Sequence, residues 1–124
     1  MAQKYIKDDI VMYENRIHTI IEALGLNNYE LSYVRHPVNQ AELSGVHITP
    51  EFLKKNGWKK KMYCDWCHYL PIEGNILYLS KGTGIDGAFS VNVGQDMSYI
   101  ASIRFVHQLQ HILFGIGINH EMEV

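Results

Sequence analysis

The run SIRFVHQLQHILFGIG, Ser102 to Gly117, constrains the fold more than any other part of the chain. Its apolar residues recur at helical spacing and Gly115 and Gly117 can end it, so it predicts a C-terminal helix over about 99–114. His107 and His111 stand one turn apart on it, with Arg104 just ahead. A helix that is apolar over most of its circumference but keeps a stripe of Arg, His and Gln is expected to lie across a sheet and leave its cationic edge open.

The 124 residues, 47% hydrophobic and 19% charged, fit one globular domain spanning 1–124. A chain of this size buries roughly two-thirds of its unfolded surface, so it needs neither metal nor disulfide to fold. The net charge of −2 argues against general nucleic-acid binding, which shows as a basic domain. The opening MAQKYIKDD lacks the apolar stretch of a signal peptide, and no run reaches the roughly 18 apolar residues of a membrane span. A soluble cytoplasmic protein without a membrane partner is the expectation. In a reducing compartment Cys64 and Cys67 are expected as thiols or metal ligands rather than as a structural disulfide.

Residues Tyr5 to Arg35 fit two patterns. Ile10, Ile17, Ile21 and Leu24 have helical spacing between Asp8-Asp9 and Gly25, as in a capped helix. The polar triplet Glu14, Asn15, Arg16 and the break at Leu26-Asn27-Asn28 equally divide the stretch into three short strands. Further on, Thr49-Pro50-Glu51 offers a capping hydroxyl, a proline at the first helical position and an acid in the first turn, with Gly57 able to close the helix. A short helix over about 50–56 follows. From Trp58 to Val93 aromatic and β-branched residues alternate between turn formers at Pro71–Asn75 and Gly82–Gly87, which predicts three antiparallel strands.

The segments GVHITPEFLKKNGW and IRFVHQLQHILFGIG together resemble a group of small uncharacterised proteins of bacteriophages and mobile elements of Bacteroidetes. Their pattern is an early strand-rich segment, a Leu/Ile-Thr-Pro-Glu helix followed by Gly and an aromatic, further strands, and a Val-His-Gln-Leu-Gln helix. The resemblance implies that DDIVMYENRIHTII forms strands of a small barrel-like sheet. The fold expected is therefore α+β: a small antiparallel, partly barrel-like sheet with one short helix and one C-terminal helix. This chain departs from the pattern in carrying His111 where the group usually has Asn.

Four motifs suggest chemistry. CDWCH, Cys64 to His68, has the spacing of covalent haem attachment, but that chemistry takes place outside the cytoplasm. Cys64 and Cys67 could instead join His107 and His111 as four zinc ligands, two on a Cys-x-x-Cys knuckle and two from one helix face. Against this, residues three apart on a strand point to opposite faces. Gly82 to Gly87 spell G-x-G-x-x-G, yet the following AFSVNV reads as a strand rather than a helix, so a hairpin loop is expected. KKNGWKKK places five lysines within eight residues around Trp58, a cluster able to hold phosphates while a ring stacks, or else a solvated helix end with Trp58 in the core.

No nucleophile with a matching base can be picked out, and His107 is the one candidate acid/base for an enzyme reading. The leading expectation is thus a non-catalytic binding protein with no cofactor, acting on an anionic, nucleotide-like small molecule or a host protein. Its expected site is Trp58, Lys59, Lys60, Lys61, Arg104 and His107. The alternative is a zinc-stabilised module using Cys64, Cys67, His107 and His111. A homo-oligomer is also expected, because the final helix has more apolar circumference than one small sheet covers.

Overall fold

A computed structural model of the protein describes residues 4–62, 67–81 and 88–123. In chain order the elements are β1 (Ile10–Tyr13), β2 (Arg16–Gly25), β3 (Asn28–Leu31), β4 (Val38–Asn39), a 3₁₀ turn (Gln40–Glu42), β5 (Ser44–Gly45), α1 (Pro50–Lys55), β6 (Lys59–Lys60), β7 (Cys67–Ile72), β8 (Asn75–Lys81), β9 (Phe89–Val93), β10 (Ser98–Ile103) and α2 (Val106–Gly115). The architecture is α+β and every strand pairing is antiparallel, as expected, but the strands divide between two five-stranded sheets and neither is a closed barrel. Among the described residues no helix is long and apolar enough to cross a membrane.

Packing divides the chain into two compact units. The first comprises residues 1–47 and 105–122, the second residues 48–104 and 123–124. In the first unit the strand order is β4-β3-β2-β1-β5. The Tyr5 to Arg35 stretch resolves as the strand meander, and the turns explain why. Glu14 and Asn15, then Leu26 and Asn27, all take positive φ, the conformation of a two-residue hairpin turn that matches strand twist. The side chains that alternate inward, Val11, Tyr13, Ile20, Tyr29 and Leu31, form the core with Tyr5, Val38 and Leu43. Ile17, Ile21 and Leu24, whose helical spacing argued otherwise, are exposed.

The second unit is a meander in the order β10-β9-β8-β7-β6, with α1 beside β6. Thr49 caps α1, its Oγ1 accepting the Phe52 N–H at 3.1 Å. Pro50 opens the helix, where a missing N–H costs nothing. Gly57, at φ +87°, turns the chain so that the Trp58 N–H donates to the Leu53 carbonyl at 2.9 Å and the backbone enters β6. The Asn56 side chain both donates to the Glu123 carbonyl and accepts its N–H, fastening the C-terminal tail to the end of α1. Along the sheet the register Lys60–His68–Leu79–Val91 puts these four residues in one row on one face, where His68, Leu79 and Val91 are buried and Lys60, on the edge strand, is exposed.

The C-terminal helix is shorter than expected. Residues Ser98–Ile103 pair with β9, Tyr99 opposite Asn92 and Ile103 opposite Phe89, because their aromatic and β-branched side chains find a strand to lie against. The helix begins only after the extended Phe105, whose N–H donates to Gln108 Oε1 at 3.0 Å.

Candidate functional site

In the second unit, Trp58, Lys59 and Lys60 line one cavity of about 520 Å³ together with Pro50, Lys54 and His68. Its construction follows from the local sequence. Pro50 and Lys54 lie one helical turn apart on α1, the left-handed Gly57 returns the chain, and the β6–β7 register sets Lys60 opposite His68. The walls are a proline, an indole, an imidazole and three lysines.

Trp58 is 3% exposed and His68 4%, and among the described residues neither the indole Nε1 nor the imidazole Nδ1 has a hydrogen-bond partner. Buried polar atoms in folded proteins are nearly always bonded, so two unsatisfied nitrogens on the residues of one cavity call for an explanation. Burial lowers the pKa of His68, and the neighbouring Lys60 lowers it further. The ring is therefore neutral near pH 7, and either of its nitrogens can carry the proton.

Three of the six residues expected in a ligand site are thus gathered here, and three lie elsewhere. Lys61 is exposed next to β7, its backbone N–H donating to the Cys67 carbonyl, and does not line the cavity. Arg104 is exposed at the last position of the second unit before the chain returns to the first. His107 belongs to the first unit and is 2% exposed. Sequence reasoning passed over His68, although it closes the CDWCH motif. The overlooked signal was its place opposite a run of alternating leucines, which puts it on the buried side of a strand.

The polar stripe of the last helix faces inward, contrary to the expectation of an open cationic edge. Gln110 is wholly buried: its Oε1 accepts the Ile10 N–H at 2.8 Å, and its Nε2 donates to the carbonyls of Asp8 and His120 at 2.8 and 2.9 Å. His111 Nε2 lies 2.6 Å from Oδ2 of the buried Asp9, which also accepts the Ile6 N–H. His107 stacks on Phe105 and meets Tyr5 edge-on, and its Nδ1 has no hydrogen-bond partner among the described residues. Desolvation pushes its pKa down to about 4, against the pull of Asp9 and with the help of His111 and Lys4. These side chains serve the first unit's own backbone and core, a use that the spacing of polar residues on a helix does not reveal.

Cys67 is disulfide-bonded, which corrects the expectation of a thiol or metal ligand at that position. Cys64 and the G-x-G-x-x-G segment lie outside the described residues, although the strands flanking that segment do pair as a hairpin, Lys81 opposite Phe89. Among the described residues no group of three His, Cys, Asp or Glu side chains could hold a metal ion. No protein-family model, curated protein or solved structure matches the chain.

Proposed function

We propose that the protein is a non-catalytic binder of an anionic, planar small molecule of nucleotide-like size, held in the cavity of the second unit. The observation that carries this reading is the pair of buried nitrogens, Trp58 Nε1 and His68 Nδ1, unsatisfied among the described residues, on two residues lining one cavity whose walls include Lys54, Lys59 and Lys60. A ligand with a hydrogen-bond acceptor would take the indole N–H, and a second polar atom would meet His68. Its anionic group would lie among the lysines, and its flat body against Pro50 and the indole. A volume of about 520 Å³ falls in the range of small-molecule sites, which favours such a ligand over a protein partner.

The lining supplies donors, cations and apolar walls, the means of holding a ligand. The resemblance to small phage and mobile-element proteins supports action by sequestration, which requires affinity and no turnover. Calorimetric titration with a panel of mononucleotides and cyclic nucleotides tests the reading. At least one is expected to bind, and the double variant Lys54→Ala, Lys59→Ala to weaken it about tenfold or more, since hydrogen bonds to charged groups contribute roughly 1.5–3 kcal/mol each. Absence of heat across the panel, or an unchanged affinity in the double variant, overturns it.

A further inference from the structure

The first unit holds a second cavity, of about 510 Å³, at the tip of the β1–β2 hairpin, and its chemistry differs from that of the first. We propose that it binds a phosphate monoester carried on a flat ring, with Arg16 and Arg35 holding the phosphate and Tyr33 covering the ring.

The hairpin builds one wall. Tyr13 pairs with Arg16 and Val11 with His18, so all four side chains fall on the core-facing side of the sheet. Val11 and Tyr13 are buried there, whereas Arg16 and His18 carry the same face past the edge of the core. The segment after β3 forms the opposite wall, fastened to β2 by Ser32, whose N–H donates to the Thr19 carbonyl and whose Oγ accepts the Thr19 N–H. Arg35 and His36 reach the cavity from this segment.

Three observations point to a phosphate. Neither guanidinium makes an ion pair or hydrogen bond among the described residues, although both line the same cavity. The planar fork of Arg matches phosphate oxygens two at a time. Both imidazoles are already oriented: His18 Nδ1 lies 2.8 Å from the Ser32 carbonyl and His36 Nδ1 3.1 Å from that of Pro37, so each Nδ1–H donates there and, among the described residues, each Nε2 is left over. Tyr13 stands edge-on to both rings, at 5.8 and 6.5 Å between centroids, and holds them apart. The one acid of the lining, Glu14, interacts with the Tyr13 hydroxyl and offsets only one of the two arginines.

The ring preference comes from Tyr33. Its side chain is 100% exposed at the cavity while its backbone sits at φ +61°, a conformation that costs a bulky residue free energy. A strained residue presenting an uncovered aromatic face beside two arginines has the form of a stacking platform.

Adenosine monophosphate and O-phosphotyrosine are the two probes, because a nucleotide and a phosphorylated tyrosine share this chemistry and their relative affinities identify the source. Binding is followed by the side-chain ¹⁵N resonances of His18 and His36. Either probe is expected to shift both Nε2 resonances, and Arg16→Gln and Arg35→Gln each to weaken binding about tenfold or more. Tyr33→Ala is expected to reduce the affinity for the ringed probe to that for inorganic phosphate. The Lys54→Ala, Lys59→Ala variant leaves these shifts unchanged, which separates this site from the one in the second unit. No shift with either probe, equal binding of adenosine, or full affinity in the arginine variants overturns the proposal.

Discussion

His107 shows how one residue's surroundings decide its role. On the sequence it is an imidazole one turn from another on a terminal helix, beside an arginine. In the fold it is packed between Phe105 and Tyr5, and its pKa falls from the ordinary 6.5 to about 4 because burial disfavours the charged ring. With the folded value below the unfolded one, the unfolded chain binds more protons between pH 4 and 6.5. Stability is therefore full above pH 6.5, falls as the pH drops through that window, and levels off below pH 4. At about 1.4 kcal/mol per unit, the loss is on the order of 3–4 kcal/mol. His107→Phe keeps a ring and abandons no bonded partner, so it is expected to remove this part of the acid sensitivity while folding normally; urea midpoints of both proteins at pH 7 and pH 4.5 measure it. An unchanged pH dependence in the variant would show that other groups carry the effect. This burial was not legible in the sequence, because a lone histidine on a helix gives no sign of which side it occupies, whereas that of His68 had a signal only in the alternating leucines of the strand it pairs with.

At the scale of elements, local chemistry was a good guide where one residue type dictates backbone geometry. Thr49-Pro50 and Gly57 bound α1, and the positive-φ pairs at Glu14-Asn15 and Leu26-Asn27 set two hairpins. It failed at the start of α2, where Tyr99 and Ile103 fit a helical period and a strand alike and the neighbouring β9 decided between them. The same helix corrects the idea of an amphipathic segment with a free polar edge. Gln110 is a fastener whose amide joins α2 to the start of β1 and to the C-terminal tail. Gln110→Leu, similar in size but without the amide, leaves the Ile10 N–H and two carbonyls to find water. It is expected to lower stability by about 2 kcal/mol or more. A fall in the denaturation midpoint with unchanged slope identifies the loss as one of stability alone.

Across the whole molecule, the chain leaves the first unit after His47 and comes back at Phe105, and the two strands of passage lie side by side. The Val106 N–H donates to the Val46 carbonyl at 2.8 Å, and His47 and Phe105 form a bridge. Gly45 sits beneath this crossing. A Cβ there would come 2.4 Å from Phe105 Cγ, closer than two carbons can approach. Gly45→Ala is expected to cost roughly 1–3 kcal/mol, the range for overpacking. A melting temperature equal to the parent's would show that Phe105 moves aside freely. The division into two units left no mark on the sequence, since the passage segments read as ordinary alternating residues. The lysine cluster around Trp58 was visible in the sequence, but the cavity that Lys54, Lys59 and Lys60 line needed His68 and Pro50 brought in by the fold.

The indole N–H of Trp58 reports most directly on the cavity proposed to take the ligand. Its ¹⁵N–¹H resonance, assigned against a Trp66→Phe variant, is to be followed as a bound mononucleotide saturates the protein. Occupation of the cavity gives that nitrogen its missing acceptor, so a downfield proton shift that saturates with the calorimetric isotherm is the expected result. A ligand that binds while this resonance stays in place would contradict the account.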